Sequence, residues 1–173
     1  MRNWLTGGFR MKKLWAPWRV AYIRSSKKGC FLCEALRSKH PKKVHILERS
    51  DRAFTIMNLY PYNSGHCMVA PIRHIGDYTR LNDNEIHDMH RLLMRILEAM
   101  KRVFTPQGFN VGMNLGEVAG AGVVDHVHTH VVPRWLGDTN YMPVIANTKV
   151  VIDSLENTYD LLKEALDKID TLQ

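Results

Sequence analysis

Residues 124–134 read Val-Asp-His-Val-His-Thr-His-Val-Val-Pro-Arg. His126, His128 and His130 alternate with Val127 and Thr129 inside a Val-rich run. On a β-strand this period sets all three imidazoles on one face. At about 3.3 Å per residue the outer two lie roughly 13 Å apart. Zinc–nitrogen bonds are only about 2.0–2.1 Å long, so the three cannot share one ion from an extended strand. The run therefore divides its labour. A solvated polar face, a metal-only site and a catalytic site are the three readings. Catalysis is favoured, because a neutral imidazole attacks phosphorus and its near-neutral pKa lets a neighbour deliver protons.

Working outward, Asn114–Gly122 is a glycine-rich loop that can cradle an anion or simply turn the chain. Strand-like runs rich in Val, Ile, Phe and Thr lie at about 44–49, 53–59, 66–72, 109–115 and 126–133. Pro61-Tyr-Asn-Ser-Gly65 punctuates them. Ile86, Met89, Leu93, Ile96, Met100 and Val103 step by three and four and predict a helix, with Asn82 and Glu85 as its capping box. Leu155, Tyr159, Leu162, Leu166 and Ile169 predict a second helix, boxed by Asp153 and Glu156. Five strands and two main helices that do not alternate argue for a one-domain α+β fold with a largely antiparallel sheet.

The chain has 173 residues, 45% hydrophobic and 24% charged, enough for one domain with a real core. This composition excludes a disordered or disulfide-stapled chain. No run of about 18 apolar residues predicts a membrane span. The net charge of +7 is uneven: eight of 24 Lys and Arg residues precede the first acid, Glu34. Residues 1–13 read as a basic, mobile extension, and 14–173 as the domain. Such an arm favours phosphate-bearing partners. Three cysteines make no disulfide framework and point to a reducing, cytoplasmic setting. Cys30 and Cys33 form a C-x-x-C, either a metal half-site or a redox pair, while Cys67 sits in an apolar run.

His126-Val-His-Thr-His-Val-Val132 resembles the signature of the histidine triad (HIT) superfamily of nucleotide hydrolases and transferases. Phe54–Asn58, Gly65-His66 and Val69-Ala-Pro-Ile-Arg-His74 resemble it too. The flanks Leu14-Trp-Ala-Pro-Trp-Arg-Val-Ala-Tyr-Ile23 and Pro133-Arg-Trp-Leu-Gly-Asp-Thr-Asn140 are similar to the zinc-bearing branch that holds the diadenosine tetraphosphate phosphorylases. The implied fold is HIT-like over residues 14–173.

The resemblance implies that His128 is the nucleophile at the α-phosphorus, passing through a nucleotidyl-histidine. Its other ring nitrogen would be held by a carbonyl. His130 would serve the phosphate and the leaving oxygen as proton donor, with His66 beside it. Asn114, Gly120 and Gly122 match the phosphate loop, and Asn58 a ribose contact. Phe54 and Ile56 would form an apolar wall for the base, and Trp135 a flank of the pocket. The resemblance also completes the C-x-x-C: Cys30, Cys33, His74 and His126 would close a structural zinc site with no open position. Gly122 stands where hydrolases of the superfamily carry Gln and phosphorylases a small hydroxyl residue, so water and phosphate both remain open as acceptor. His130 stands where hexose-1-phosphate uridylyltransferases have Gln, which argues against hexose transfer. Substrates implied are dinucleoside polyphosphates or nucleoside phosphoramidates, acted on by a homodimer. Neither a membrane nor a nucleic acid is an expected partner. The competing reading is a zinc-stabilised nucleotide- or nucleic-acid-binding module without turnover, its basic arm and Trp15, Trp18 and Tyr22 contacting phosphates and bases.

Overall fold

The computed structural model describes residues 29–138 and 154–170. The basic extension, Leu14–Ile23 with its aromatics, and Asp153 lie outside the described residues. The chain runs through α1 (Phe31–Arg37), β1 (Ile46–Arg49), β2 (Ala53–Met57), β3 (Cys67–Pro71), α2 (Asp83–Phe104), β4 (Gly108–Met113), β5 (Thr129–Arg134) and α3 (Leu155–Asp170). The five strands form one antiparallel sheet in the order β1-β2-β3-β5-β4. No helix among the described residues is long and apolar enough to cross a membrane.

Strand alternation sorts the side chains onto two faces. Met57, Cys67, Val69 and Val131 pack against Met89, Leu92, Ile96 and Met100 of α2 and against Tyr159, Leu162 and Leu166 of α3. Ile46, Phe54, Ile56, Met68 and Ala70 face the other way, under Leu32 and Ala35 of α1. Full burial of one side chain such as Leu32 is worth about 1.5–3 kcal/mol, so even a seven-residue helix can be anchored by its contacts. Met68 pairs with His130 across β3 and β5. His130 therefore belongs to the α1 face, which is where the candidate site residues gather.

Both long helices form where the periodicity places them, with differences that have causes. The capping box of α2 is complete: Glu85 N–H donates to Asn82 Oδ1 and Asn82 N–H to Glu85 Oε2, each at 3.0 Å. Its inward stripe runs Glu85, Met89, Leu92, Ile96, Ala99, and Ile86 is 41% exposed, contrary to expectation. Arg73 explains the shift. Its guanidinium grips both Glu85 carboxylate oxygens at 2.7 Å, so an acid takes the inward place. In α3 the expected stripe is buried at Tyr159, Leu162, Leu166 and Ile169, but the cap is Ser154, whose Oγ accepts from Asn157 N–H at 3.1 Å. The short helix α1 was not expected at all.

The fifth strand begins at Thr129 rather than at residue 126. The preceding residues bond to the last residue of β3 and to the loop after it instead of extending the ladder. Val127 N–H donates to the Ile75 carbonyl at 2.7 Å, and His126 Nε2 lies 2.8 Å from the Pro71 carbonyl. The three histidines therefore do not share one flat ladder face.

Candidate active site

The histidine run splits at His126. Its Nε2–H donates to Pro71, which leaves Nδ1 as the nitrogen with a lone pair. That Nδ1 lies 3.3 Å from Cys30 Sγ and 3.5 Å from Cys33 Sγ. His74 Nδ1 lies 3.3 Å from Cys33 Sγ. All four ligand atoms fall within 4.8 Å of one another. A tetrahedron with zinc-length bonds has edges of about 3.3–3.8 Å, so the set fits a closed Cys₂His₂ centre. The Pro71 carbonyl orients His126 from behind, as outer-shell partners of metal-binding histidines do. Cys30 stands just before α1 and Cys33 in its first turn, while His74 follows β3 and His126 precedes β5. The cluster thus ties α1 to the sheet and to the histidine run. The third thiol, Cys67, is buried in the opposite core, and burial pushes it above the usual thiol range.

The next two histidines face a cleft of about 250 Å³. His128 is buried and its Nδ1 lies 2.9 Å from the His126 carbonyl. Only a protonated Nδ1 satisfies that carbonyl, so Nε2 carries the lone pair. Burial pushes the His128 pKa below the ordinary histidine value, partly offset by this hydrogen bond, and favours the neutral ring. His130 and His66 form a directed chain. Tyr62 N–H donates to His66 Nδ1 at 3.0 Å, so His66 carries its proton on Nε2, which lies 3.0 Å from His130 Nδ1. His130 Nδ1 must then accept, and the His130 proton sits on Nε2. The His128 and His130 rings meet edge to face at 4.9 Å. The site therefore holds a nucleophile-ready nitrogen and, on the neighbouring ring, an N–H donor.

The other expected residues divide. Asn58, Gly120 and Gly122 line the cleft. Asn58 Oδ1 accepts from Tyr60 N–H at 2.9 Å, and its Nδ2 lies 3.4 Å from His66 Nδ1. Asn114, past the end of β4, reaches the Gly120 carbonyl at 3.4 Å and so braces the loop from outside the cleft lining. Gly120 has φ 86°, a left-handed conformation that side chains resist. Phe54 and Ile56 are buried beneath the floor, on the same face as Met68, which does line the cleft. Trp135 lies at the far end of β5, its Nε1–H donating to the Phe104 carbonyl at 3.2 Å, apart from the cleft lining.

Sequence reasoning missed the apolar walls. Phe31, Leu59, Tyr60, Pro61 and Tyr62 line the cleft, and Tyr60 is 62% exposed. The signal was present: two tyrosines in a Pro- and Gly-marked turn that follows an apolar strand-like run, and a phenylalanine enclosed by the C-x-x-C.

The family model described as HIT domain matches residues 39–135. The chain is 33% identical over 162 residues to AP-4-A phosphorylase of Mycobacterium tuberculosis, covering 88% of this chain and 83% of that protein. It is 30% identical over 101 residues to the asymmetrical bis(5'-nucleosyl)-tetraphosphatase of Schizosaccharomyces pombe, over 58% of this chain and 55% of that protein. A solved zinc-bound histidine triad family protein from Mycobacterium smegmatis superposes with a TM-score of 0.67 at 25% identity, over 84% of this chain and 98% of that one. The chain belongs to the HIT domain family.

Proposed function

We propose, with a HIT domain as the premise, that this protein cleaves nucleotides at the α-phosphate through a nucleotidyl-His128 intermediate. Its substrates would be dinucleoside polyphosphates such as diadenosine tetraphosphate, or nucleoside phosphoramidates. The observation that carries the reading is the His128 Nδ1 contact with the His126 carbonyl at 2.9 Å, which leaves Nε2 unprotonated in a ring that lines the cleft. Nε2 attacks phosphorus, and the His130 Nε2–H hands its proton to the departing oxygen or nitrogen. In the second step an acceptor attacks the nucleotidyl-histidine and His128 leaves. Asn58 serves the ribose, and the Gly120–Gly122 backbone, braced by Asn114, approaches the phosphate. Phe31, Leu59 and Tyr60 supply the apolar wall for the base, above a floor underlain by Phe54 and Ile56.

Cys30, Cys33, His74 and His126 would hold one structural zinc. With four protein ligands the ion offers no open position, so its contribution is to fix α1 and His126 relative to the cleft. The similarity to a zinc-bound relative supports this choice of metal. A homodimer is supported by β4, an edge strand whose Val111 is 46% exposed and whose continuation leaves Leu115 50% exposed. A reducing, cytoplasmic setting suits three unpaired thiols.

The test is incubation with diadenosine tetraphosphate, with and without inorganic phosphate. AMP and ATP without phosphate define a hydrolase. ADP and ATP appearing only with phosphate define a phosphorylase. Turnover of neither this substrate nor a phosphoramidate, alongside tight nucleotide binding, returns the reading to a binding module.

A further inference from the structure

The two residues enclosed by the C-x-x-C point in different useful directions. Phe31 lines the cleft, while Leu32 is fully buried against the sheet beneath it. The sulfurs of Cys30 and Cys33 lie within 4.8 Å of each other, and both residues are partly exposed. From the same sulfurs, His126 is 3.3 and 3.5 Å away, and its carbonyl holds His128. The thiol pair is thus joined to the base wall through Phe31 and to the nucleophile through His126.

We infer that Cys30 and Cys33 are also a reversible oxidation site, at which a peroxide converts the metal-binding pair into a disulfide and thereby weakens nucleotide binding. The metal-release part of this inference rests on the zinc reading given above. One sulfur attacks the O–O bond of the peroxide, giving a sulfenic acid and hydroxide. The second sulfur displaces hydroxide from the first, and the S–S bond forms. The two sulfurs together lose two electrons, and hydrogen peroxide with two protons becomes two waters. A disulfide cannot serve as a pair of thiolate ligands, so the ion leaves. Drawing the two sulfurs to about 2.05 Å reshapes the first turn of α1, which carries Phe31. Cys67, fully buried and in the opposite core, stays out of the reaction.

The experiment titrates the metal-loaded, full-length protein with hydrogen peroxide and reads metal released to a chromogenic chelator, free thiols, intact mass and nucleotide KM. The expected result is loss of two of the three thiols with the mass of two hydrogens, and metal released in step. KM should rise about tenfold, the scale of losing an outer support of a metal site. Dithiothreitol with added zinc should reverse all of it, and peptide mapping should join Cys30 to Cys33 with Cys67 reduced. Cys33→Ser should show no disulfide. Sulfinic acid without a disulfide overturns the inference, as does a disulfide that leaves KM unchanged. Thiols that survive peroxide while the metal stays bound also overturn it, and leave the zinc reading standing. A chain that purifies without metal defeats the zinc reading alone, because the disulfide and the KM change still decide the oxidation site.

Discussion

His128 Nδ1 and the main-chain carbonyl of His126 stand 2.9 Å apart, and this contact makes one nitrogen of the proposed nucleophile a donor and the other a base. Because the carbonyl belongs to a residue whose own ring is anchored to Pro71, the orientation is set twice. His128→Ala should lower kcat by about 10³-fold or more while nucleotide binding is largely kept, since the apolar walls at Phe31, Leu59 and Tyr60 are untouched. Rapid-quench trapping of a labelled nucleotidyl-enzyme should succeed with the native chain and fail with the variant. Turnover that survives in His128→Ala would sink the covalent mechanism.

The relay from Tyr62 through His66 to His130 predicts a different signature. In the proposed mechanism His66 touches no reacting atom and positions the proton of His130 by donating across 3.0 Å. His66→Phe keeps a ring against Tyr62, 4.7 Å away, but removes the donor. kcat should fall about 10²-fold with KM little changed. Substrates with more acidic leaving groups should be affected least, because they need less proton donation. An equal loss for all leaving groups would mean that His66 is merely structural.

Much of this candidate site was legible in the sequence because the chemistry proposed for it depends on residue types that composition rarely assembles. Three alternating histidines and a C-x-x-C are such signals, and the asparagine–glutamate box of α2 is visible from spacing alone. What stayed hidden depends on contacts between distant segments. Helix α1 is seven residues long with no side-chain cap, so its anchor is Leu32 against the sheet rather than any local propensity. The inward place of Glu85 required Arg73, twelve residues away. The late start of β5 required Ile75 and Pro71 as partners for residues 126 and 127. Phe54 and Ile56 lie on the expected face, but Met68, Phe31 and Tyr60 form the surface above them.

Gly76 joins the segments that carry His74 and His126 by close approach. A Cβ there would sit 2.6 Å from the Val124 carbonyl oxygen and 2.9 Å from Asp125 Cα. Both neighbours are backbone, and Val127 is bonded to Ile75 alongside, so neither segment yields cheaply. Gly76→Ala should cost about 1–3 kcal/mol, the usual range for overpacking. It should also lower the bound metal per chain, because His74 and His126 flank the contact. Thermal unfolding and metal analysis on the same sample check both. Full stability with full metal content would show that the segments part freely.

Glu85 gives the acid limb of stability a specific source. The residue is 3% exposed, and the Arg73 guanidinium holds its carboxyl pKa below the ordinary value, with the Asn82 N–H adding to the effect. The unfolded chain, with glutamate near about 4.3, therefore takes up this proton at a higher pH than the folded chain does. The stabilisation is complete above that value and drains away as pH falls through the lower, folded pKa. Glu85→Gln should lower Tm at neutral pH, and the gap to the native chain should close on acidification below about pH 4.3. Asn82→Ala serves as the comparison. It removes a cap worth about 1 kcal/mol, which does not titrate, so its deficit should persist at acid pH. A Glu85→Gln deficit that stays constant down the same range would assign the loss to packing and not to the ion pair.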